Sequence, residues 1–149
     1  MNRHATLNSL LAALAIASAA ANGADGGEIT LTVGVSGASP NKGQAILTLF
    51  TSKETFLKQP HTTLIVPIDS DGRMVTRVNH LNPGKYAVSV YYDADNNGKL
   101  NTGLFGIPTE LVGFSNQARS LFGPPSFKKA SFSLPSDRSI EIRLGKAKD

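Results

Sequence analysis

The chain has no cysteine and no tryptophan among its 149 residues, and only three tyrosines and three histidines. The lack of cysteine excludes disulfides, thiolate metal sites, a cysteine nucleophile and a lipid anchor on an N-terminal cysteine. The scarcity of large polar rings argues against a stacking platform for carbohydrate. The fold must therefore be held by its core, with a bound ion as the one further aid that this composition allows.

Concentrated positive charge is also lacking. Fifteen basic side chains face eleven acidic ones, which gives a net charge of +4. Only Lys128-Lys129 and the C-terminal tail form basic clusters, too few for a nucleic-acid footprint. The longest apolar run, Leu7–Ala21, is shorter than the roughly 20 residues of a membrane-spanning helix. We therefore expect neither a nucleic-acid partner nor a membrane span.

The apolar run instead predicts a secretory signal peptide over residues 1–21. It follows a basic N-terminus and ends in small residues that suit cleavage after Ala19, Ala21 or Ala24. Cleavage after Ala21 leaves 128 residues, enough for one domain with one core. The predicted location is exported, either periplasmic or secreted.

Helical periodicity is missing from the rest of the chain, where apolar residues recur at every second position. This alternation is typical of strands with one buried face. Seven segments have strand character: 28–36, 44–52, 62–68, 72–79, 85–92, 128–134 and 139–144. The pattern predicts an all-β fold, a seven-strand antiparallel β-sandwich over residues 28–144, either transthyretin-like or immunoglobulin-like. A small barrel is the alternative.

Turn residues between these segments give local predictions. Asp71-Gly72 predicts a hairpin between the third and fourth strands. Pro67 places the third strand at a sheet edge or at a bulge. The run "LNPGKY", residues 81–86, resembles the turn and strand of transthyretin-like and carboxypeptidase-regulatory-like sandwiches.

One long loop, residues 93–126, separates the fifth and sixth predicted strands. Loops of this length are uncommon unless they are functional, self-packed or disordered. Disorder does not fit, because the loop has many large apolar side chains. They are Leu104, Phe105, Ile107, Leu111, Val112, Phe114, Leu121 and Phe122. We therefore expect an ordered loop that docks on the sandwich and buries these side chains.

The start of the loop has the spacing of a calcium-binding loop. Oxygen ligands are expected at its alternate positions, from the side chains of Asp93, Asp95, Asn97 and Asn101 and the carbonyl of Lys99. Leu104 occupies the twelfth position, where a glutamate would complete an EF-hand. Glu110 is the nearest carboxylate that could close the shell instead. The expected site is weak, with a calcium Kd of about 10⁻⁴ to 10⁻³ M.

Other interpretations of the same residues stay open. Asp93, Asp95 and the asparagines could form turns without an ion. Alternatively, Asp93, Asp95 and Glu110 could serve an envelope hydrolase. The D-x-D sequence after a strand is also typical of aspartyl phosphotransferases, but that chemistry belongs to a parallel sheet with crossover helices, and no helical period is present.

The second half of the loop, "GFSNQARSLFGPPSF", predicts a surface for a ligand or partner formed by Phe114, Asn116, Arg119 and Phe122. Pro124-Pro125 stiffens the backbone next to this surface. The alternative is a strap packed over the sandwich, with its phenylalanines in the core.

Residues 82–134 resemble an exported bacterial family known as domain of unknown function 2141. The resemblance lies in "PGKYA", "DADNNGKLN", "GIPTE", "GFSNQAR" and "GPPSF", followed by a closing strand. It implies an exported seven-strand sandwich of unassigned activity. Two positions depart from the family pattern. Tyr92 replaces a frequent histidine before the first aspartate, and Asn101 replaces an aspartate, which lowers the expected affinity for an ion.

Together these features predict a non-enzymatic binding or interaction module of the cell envelope. The expected partner is an envelope protein or a glycan, and the expected oligomeric state is a monomer.

Overall fold

A computed structural model describes residues 28–147. The predicted signal peptide lies outside these residues. The described chain forms eight strands, one short α-helix, α1, at Phe127–Ala130, and two 3₁₀ turns at Leu104–Gly106 and Ser115–Gln117. The strands are β1 (Ile29–Ser36), β2 (Gln44–Phe50), β3 (Thr62–Pro67), β4 (Arg73–Leu81), β5 (Gly84–Asp93), β6 (Val112–Phe114), β7 (Phe132–Leu134) and β8 (Arg138–Arg143).

The strands form two sheets, so the predicted all-β sandwich is confirmed. The smaller sheet has the order β4-β1-β8, and the larger has the order β3-β2-β5-β6, with β7 also paired to β5. All pairs are antiparallel except β1 with β8. Pro67 ends β3 at the edge of the larger sheet, as its missing N–H requires.

The core lies between the two sheets and follows directly from the period of two. Alternate residues of β1 (Leu31, Val33 and Val35) have no exposed surface, and Val88 and Val90 of β5 face them from the other sheet. Burying each of these side chains contributes about 1.5–3 kcal/mol. The pattern therefore identifies the buried face of both sheets correctly.

The predicted hairpin at Asp71-Gly72 is wrong. β3 pairs with β2 and β4 pairs with β1, so the turn carries the chain from one sheet to the other. It is a tight turn, in which Gly72 N donates to Asp69 O at 3.2 Å. The same turn residues suit a hairpin and a corner between sheets, and the local sequence does not distinguish them.

The "LNPGKY" segment forms a second corner, where the chain crosses back from β4 to β5. The Tyr86 hydroxyl donates to the Asn82 carbonyl at 2.8 Å, and the ring is buried. This bond fixes the bend in the way a tyrosine corner does in immunoglobulin-like sandwiches.

The long loop contains one strand more than the sequence indicated. β6 pairs with the outer edge of β5. The sixth predicted strand is in turn shorter than expected: Lys128 and Lys129 belong to α1, whose N-cap is Ser126, and only Phe132–Leu134 forms β7. Segments as short as these carry too few periods for alternation to decide between helix and strand.

β6 and β7 follow one another along the same edge of β5 and leave a gap at Val88. β7 reaches Gly84–Tyr86 and β6 reaches Ser89–Tyr91. The buried Ser115 hydroxyl fills this gap: it accepts a bond from Val88 N at 2.9 Å and donates to Ala130 O at 2.6 Å. One side chain thus joins β5 to the loop and to α1.

The residues after Ser115 continue this attachment. Asn116 Nδ2 donates to the carbonyls of Lys129 and Ser131, at 3.1 and 2.8 Å. Gln117 Nε2 donates to Glu141 O at 2.8 Å, and its Oε1 accepts from Arg143 N at 3.2 Å. Asn116 and Gln117 both have φ near +55°, an unusual conformation that these bonds stabilise.

The outer face of the larger sheet lies under the long loop. Ala87, Ser89, Tyr91 and Asp93 alternate with the core residues of β5 and so point to this face. At the Ala87 end, four phenylalanines form an aromatic cluster: Phe50, Phe56, Phe114 and Phe127. The ring of Phe56 lies 5.2 Å from Phe50 and 5.7 Å from Phe127, in edge-to-face geometry. The loop is docked here, as expected.

We expect Ser115→Ala to lower the free energy of unfolding by about 2–4 kcal/mol, because it leaves buried backbone groups of Val88 and Ala130 without partners. Urea unfolding followed by circular dichroism measures this loss. Ser133→Ala, a matched change at an exposed position of β7, should cost less than about 0.5 kcal/mol. Equal stability of the two variants would contradict the role given to Ser115.

Candidate metal centre and adjoining cleft

Three carboxylates meet at the end of β5. Asp93 is the last residue of the strand and has no exposed surface, Asp95 is exposed, and Glu110 is partly buried. One oxygen from each lies within 4.8 Å of the others. We call these three residues the acidic cluster. Glu110 thus lies close to Asp93 and Asp95 although it follows Asp95 by 15 positions in the chain.

Asp93 is held by donors from β2 and from the loop. Its Oδ2 accepts from Gln44 Nε2 at 2.7 Å and from Gly98 N at 2.8 Å, and its Oδ1 accepts from Asn97 N at 3.1 Å. Gln44 begins β2 and lies directly opposite Asp93 in the strand register. Sequence reasoning missed Gln44, because only the register reveals a partner so far away in the chain.

These donors determine the ionisation of Asp93. Burial alone would raise the pKa of the carboxyl group, but the hydrogen bonds from Gln44, Gly98 and Asn97 stabilise the charged form and outweigh it. The net result is a pKa below the usual value for aspartate. Asp93 is therefore an anion at neutral pH.

The side chain of Glu110 joins the later part of the long loop to its first residues. Its Oε1 accepts from Ala94 N at 3.3 Å and its Oε2 accepts from Asn101 N at 3.0 Å. The Asn101 carbonyl in turn accepts from Thr109 N at 2.9 Å. The segment 101–109 is thus a closed loop with a fixed base.

Two of the remaining predicted ligands, Asn97 and Asn101, contact Asp95. Its Oδ2 accepts from Asn97 Nδ2 at 3.1 Å and from Asn101 Nδ2 at 3.2 Å, while Lys99 N donates to Asn97 Oδ1 at 2.8 Å. Gly98 makes the sharp turn with φ of +72°. Rotating either side-chain amide by half a turn would present an oxygen in place of the nitrogen. The donor set consists entirely of oxygens, which suits a hard cation such as calcium.

A cleft of about 490 Å³ lies beside the acidic cluster, between the outer face of the larger sheet and the long loop. Its floor includes Thr48, Ser89 and Tyr91, and its walls come from the segments 106–108, 117–120 and 123–125. Three basic residues also line it: Arg119, Arg143 and Lys146. The volume is within the range of ligand-binding pockets.

Tyr91 connects the cleft with the acidic cluster. Its ring lines the cleft, and its hydroxyl donates to Gly98 O at 3.2 Å. Burial raises the pKa of the phenol, and the charges of Asp93 and Glu110 raise it further. The hydroxyl therefore remains protonated and keeps this bond at neutral pH.

The four residues of the predicted ligand surface do not lie together on one surface. Phe114 and Arg119 line the cleft, and Phe122 lies between two of its lining residues. Asn116 is exposed, and its side-chain amide is engaged with backbone carbonyls of Lys129 and Ser131. The cleft itself was not foreseen, because a space between two distant segments has no signature in the sequence.

The expectation that the loop buries all of its large apolar side chains is wrong. Ile107, Leu111, Val112 and Phe114 are at least partly buried. By contrast, the exposed fractions are 83% for Leu104, 97% for Phe105, 94% for Leu121 and 91% for Phe122. The hydrogen bonds described above hold the two ends of each segment that carries these exposed side chains, and the middle of each segment projects into solvent.

The low pKa of Asp93 predicts how stability depends on pH. Since the folded-state pKa is below the unfolded value of about 3.9, the contribution of Asp93 is complete above that pH and is lost as pH falls through the folded-state pKa. Asp93→Asn should therefore cost about 2–3 kcal/mol at pH 7 and clearly less at pH 3, measured by urea unfolding. A cost that does not change with pH would contradict this. Asp71→Asn, an exposed carboxylate in another turn, is the control.

Comparison with known proteins supports the resemblance noted in the sequence. The family described as "Uncharacterized protein conserved in bacteria (DUF2141)" matches residues 33–143. No curated protein and no solved structure has significant similarity to the chain. The matched region runs from β1 to β8 and includes the acidic cluster and most of the cleft lining. The chain belongs to this uncharacterized bacterial family, DUF2141.

Proposed function

We propose that the protein is an exported, non-enzymatic binding module in which one calcium ion orders the long loop. The acidic cluster holds the ion, and the adjoining cleft binds a component of the cell envelope. The observation that carries the proposal is that three carboxylates, two from the start of the long loop and one from further along it, each place an oxygen within 4.8 Å of the others.

The partners of these carboxylates support a cation. The hydrogen bonds to Asp93, Asp95 and Glu110 come from neutral amide groups of the backbone, Gln44, Asn97 and Asn101. Two like charges 4 Å apart repel by about 1 kcal/mol in water and about 4 kcal/mol at an effective dielectric constant of 20. A divalent cation at the centre converts this repulsion into attraction.

The ligand set that we propose is the one that the spacing predicts. Asp93, Asp95 and Glu110 provide charged oxygens, and the side chains of Asn97 and Asn101 and the carbonyl of Lys99 complete the shell. Three carboxylates in a set with two amides favour a weak site, and an extracellular site needs no more.

An ion at this position would also affect the positions of residues that line the cleft. The first wall of the cleft, residues 106–108, belongs to the same closed loop whose base Glu110 fixes. On the floor, Tyr91 is bonded to Gly98 within the ion-binding segment. Binding of the ion would therefore set the position of both the wall and the floor.

The geometry argues against a hydrolase that uses Asp93 as its acid. A glycosidase needs a carboxyl group that stays protonated near neutral pH and reaches the substrate. Asp93 has the opposite properties, because it is fully buried and its pKa is lowered. The other alternative, an ion-free structural loop, has support in the existing hydrogen bonds, and a calcium titration separates it from our proposal.

The signal-like N-terminus supports export, and an exported protein meets calcium at the concentrations that a weak site needs. In residues 28–147, no helix is long and apolar enough to cross a bilayer. We propose a monomer in the periplasm or outside the cell. Mass determination of the N-terminus of the protein from an exporting bacterium tests the cleavage.

Calcium should stabilise the protein. At ten times the Kd, it would add about 1.4 kcal/mol to the free energy of unfolding, which raises Tm by about 3 to 8 °C. Thermal melting in chelator and in 1–10 mM calcium measures this, and native mass spectrometry counts the bound ions. Glu110→Gln should weaken the response at least tenfold in calcium concentration, because it removes one charged ligand.

Asp71→Asn is the matched control, since it removes a carboxylate outside the cluster and should keep the full response. Superimposable melting curves in chelator and calcium, with no bound ion, would refute the metal centre. An equal response of Glu110→Gln and the control would place the ion elsewhere.

A further inference from the structure

Two apolar loop tips stand on either side of the cleft. The first is the pair Leu104-Phe105 and the second is the pair Leu121-Phe122, and all four side chains are almost fully exposed. We call these pairs the two tips. Monomeric proteins expose single apolar residues routinely, but paired large residues on two neighbouring projections mark an interaction surface.

The chain connectivity places both tips next to the same cleft. Gly106 and Ile107, which follow the first tip, line it, and so do Ser120 and Gly123 on either side of the second tip. Three basic residues line the same cleft: Arg119, Arg143 and Lys146. Apolar projections and positive charge thus occur together on one face.

We propose that this face docks on the surface of an anionic phospholipid bilayer. The two tips enter the interfacial region, and Arg143 and Lys146 contact lipid phosphates. The inference deepens the proposed function by assigning the class of envelope component, and it rests on that function only for the effect of calcium.

The form of the surface favours a bilayer over a protein partner. Phenylalanine and leucine on projecting tips reach past the polar surface into the apolar layer, as interfacial anchors do. Each basic group near an anionic membrane adds electrostatic attraction to the lipid surface. A protein partner would instead require a complementary surface packed closely around the tips.

The fold presents the tips rigidly enough for this role. The first tip lies at the far end of the closed loop 101–109. The two sides of this loop are joined by an isolated β-bridge between Thr102 and Pro108. Gly103 N also donates to Ile107 O at 2.8 Å. The second tip lies between the Ser115–Gln117 attachment and the stiff pair Pro124-Pro125. Little conformational entropy is therefore lost when the tips insert.

The test measures binding to vesicles of phosphatidylglycerol and of phosphatidylcholine by co-sedimentation. The protein is the chain purified from an exporting bacterium, with its N-terminus checked by mass, because an uncleaved Leu7–Ala21 segment would bind vesicles by itself. We expect binding to phosphatidylglycerol at least tenfold stronger than to phosphatidylcholine, and weaker binding at high salt.

The variant Phe105→Asn with Phe122→Ser should lower binding to phosphatidylglycerol at least tenfold. Asparagine suits position 105 because φ there is +61°. The matched control is Ile65→Thr with Val75→Thr, which removes two exposed apolar side chains from β3 and β4 and should bind like the wild type. Melting curves confirm that both variants fold.

A second pair of variants tests the charges. Arg143→Gln with Lys146→Gln should weaken binding severalfold, whereas Arg77→Gln with Lys85→Gln, the same change of charge at exposed positions outside this cleft, should not.

Three outcomes would overturn the proposal. They are equal binding to both lipids, equal binding of the tip variant and its control, and a dimer in sedimentation that the tip variant abolishes without any vesicle binding. The last would make a second copy of the chain the occupant. Repeating the assay in chelator separates the two proposals: lipid binding that is unchanged there supports docking without the calcium centre.

Discussion

The buried hydroxyl of Ser115 holds together the parts of the molecule on which the site depends. It satisfies the backbone of Val88 where β6 ends and β7 begins, and it reaches Ala130 in α1. A long loop could cross this edge of the sheet only if the interrupted ladder were repaired, because an unpaired buried amide costs as much as a lost hydrogen bond. With the repair in place, the second wall of the cleft starts from a fixed point.

The alternation of β5 places the aromatic cluster, the cleft floor and the acidic cluster in a row on one face of the sheet. The inward residues of β5 belong to the core, and its outward residues pass from the aromatic cluster at Ala87, over the cleft floor at Ser89 and Tyr91, to the acidic cluster at Asp93. The spacing between these regions is thus set by the rise of an extended chain, about 3.3 Å per residue.

The sequence was informative wherever the physics is local. Alternation identified the strands and their buried faces, and the D-x-D-x-N spacing located the acidic cluster, because both are set by neighbouring residues. Three features depended on distant parts of the chain and were missed. Gln44 reaches Asp93 only through the register of β2 and β5, and Asp71-Gly72 turns between sheets rather than within one. Phe105 and Phe122 are as apolar as Phe56, yet only the fold decides which of them finds a neighbour.

The side-chain amide of Gln117 covers part of the open edge of the smaller sheet. β8 is an edge strand, and an open edge invites pairing with another chain and the growth of aggregates. Gln117 offers β8 one donor and one acceptor, for Glu141 O and Arg143 N, as a neighbouring strand would, and the backbone bridge between Val112 and Gly145 continues the contact. The loop that forms the cleft thereby also covers this edge. A change that releases the loop would expose the backbone of β8 to pairing with another chain.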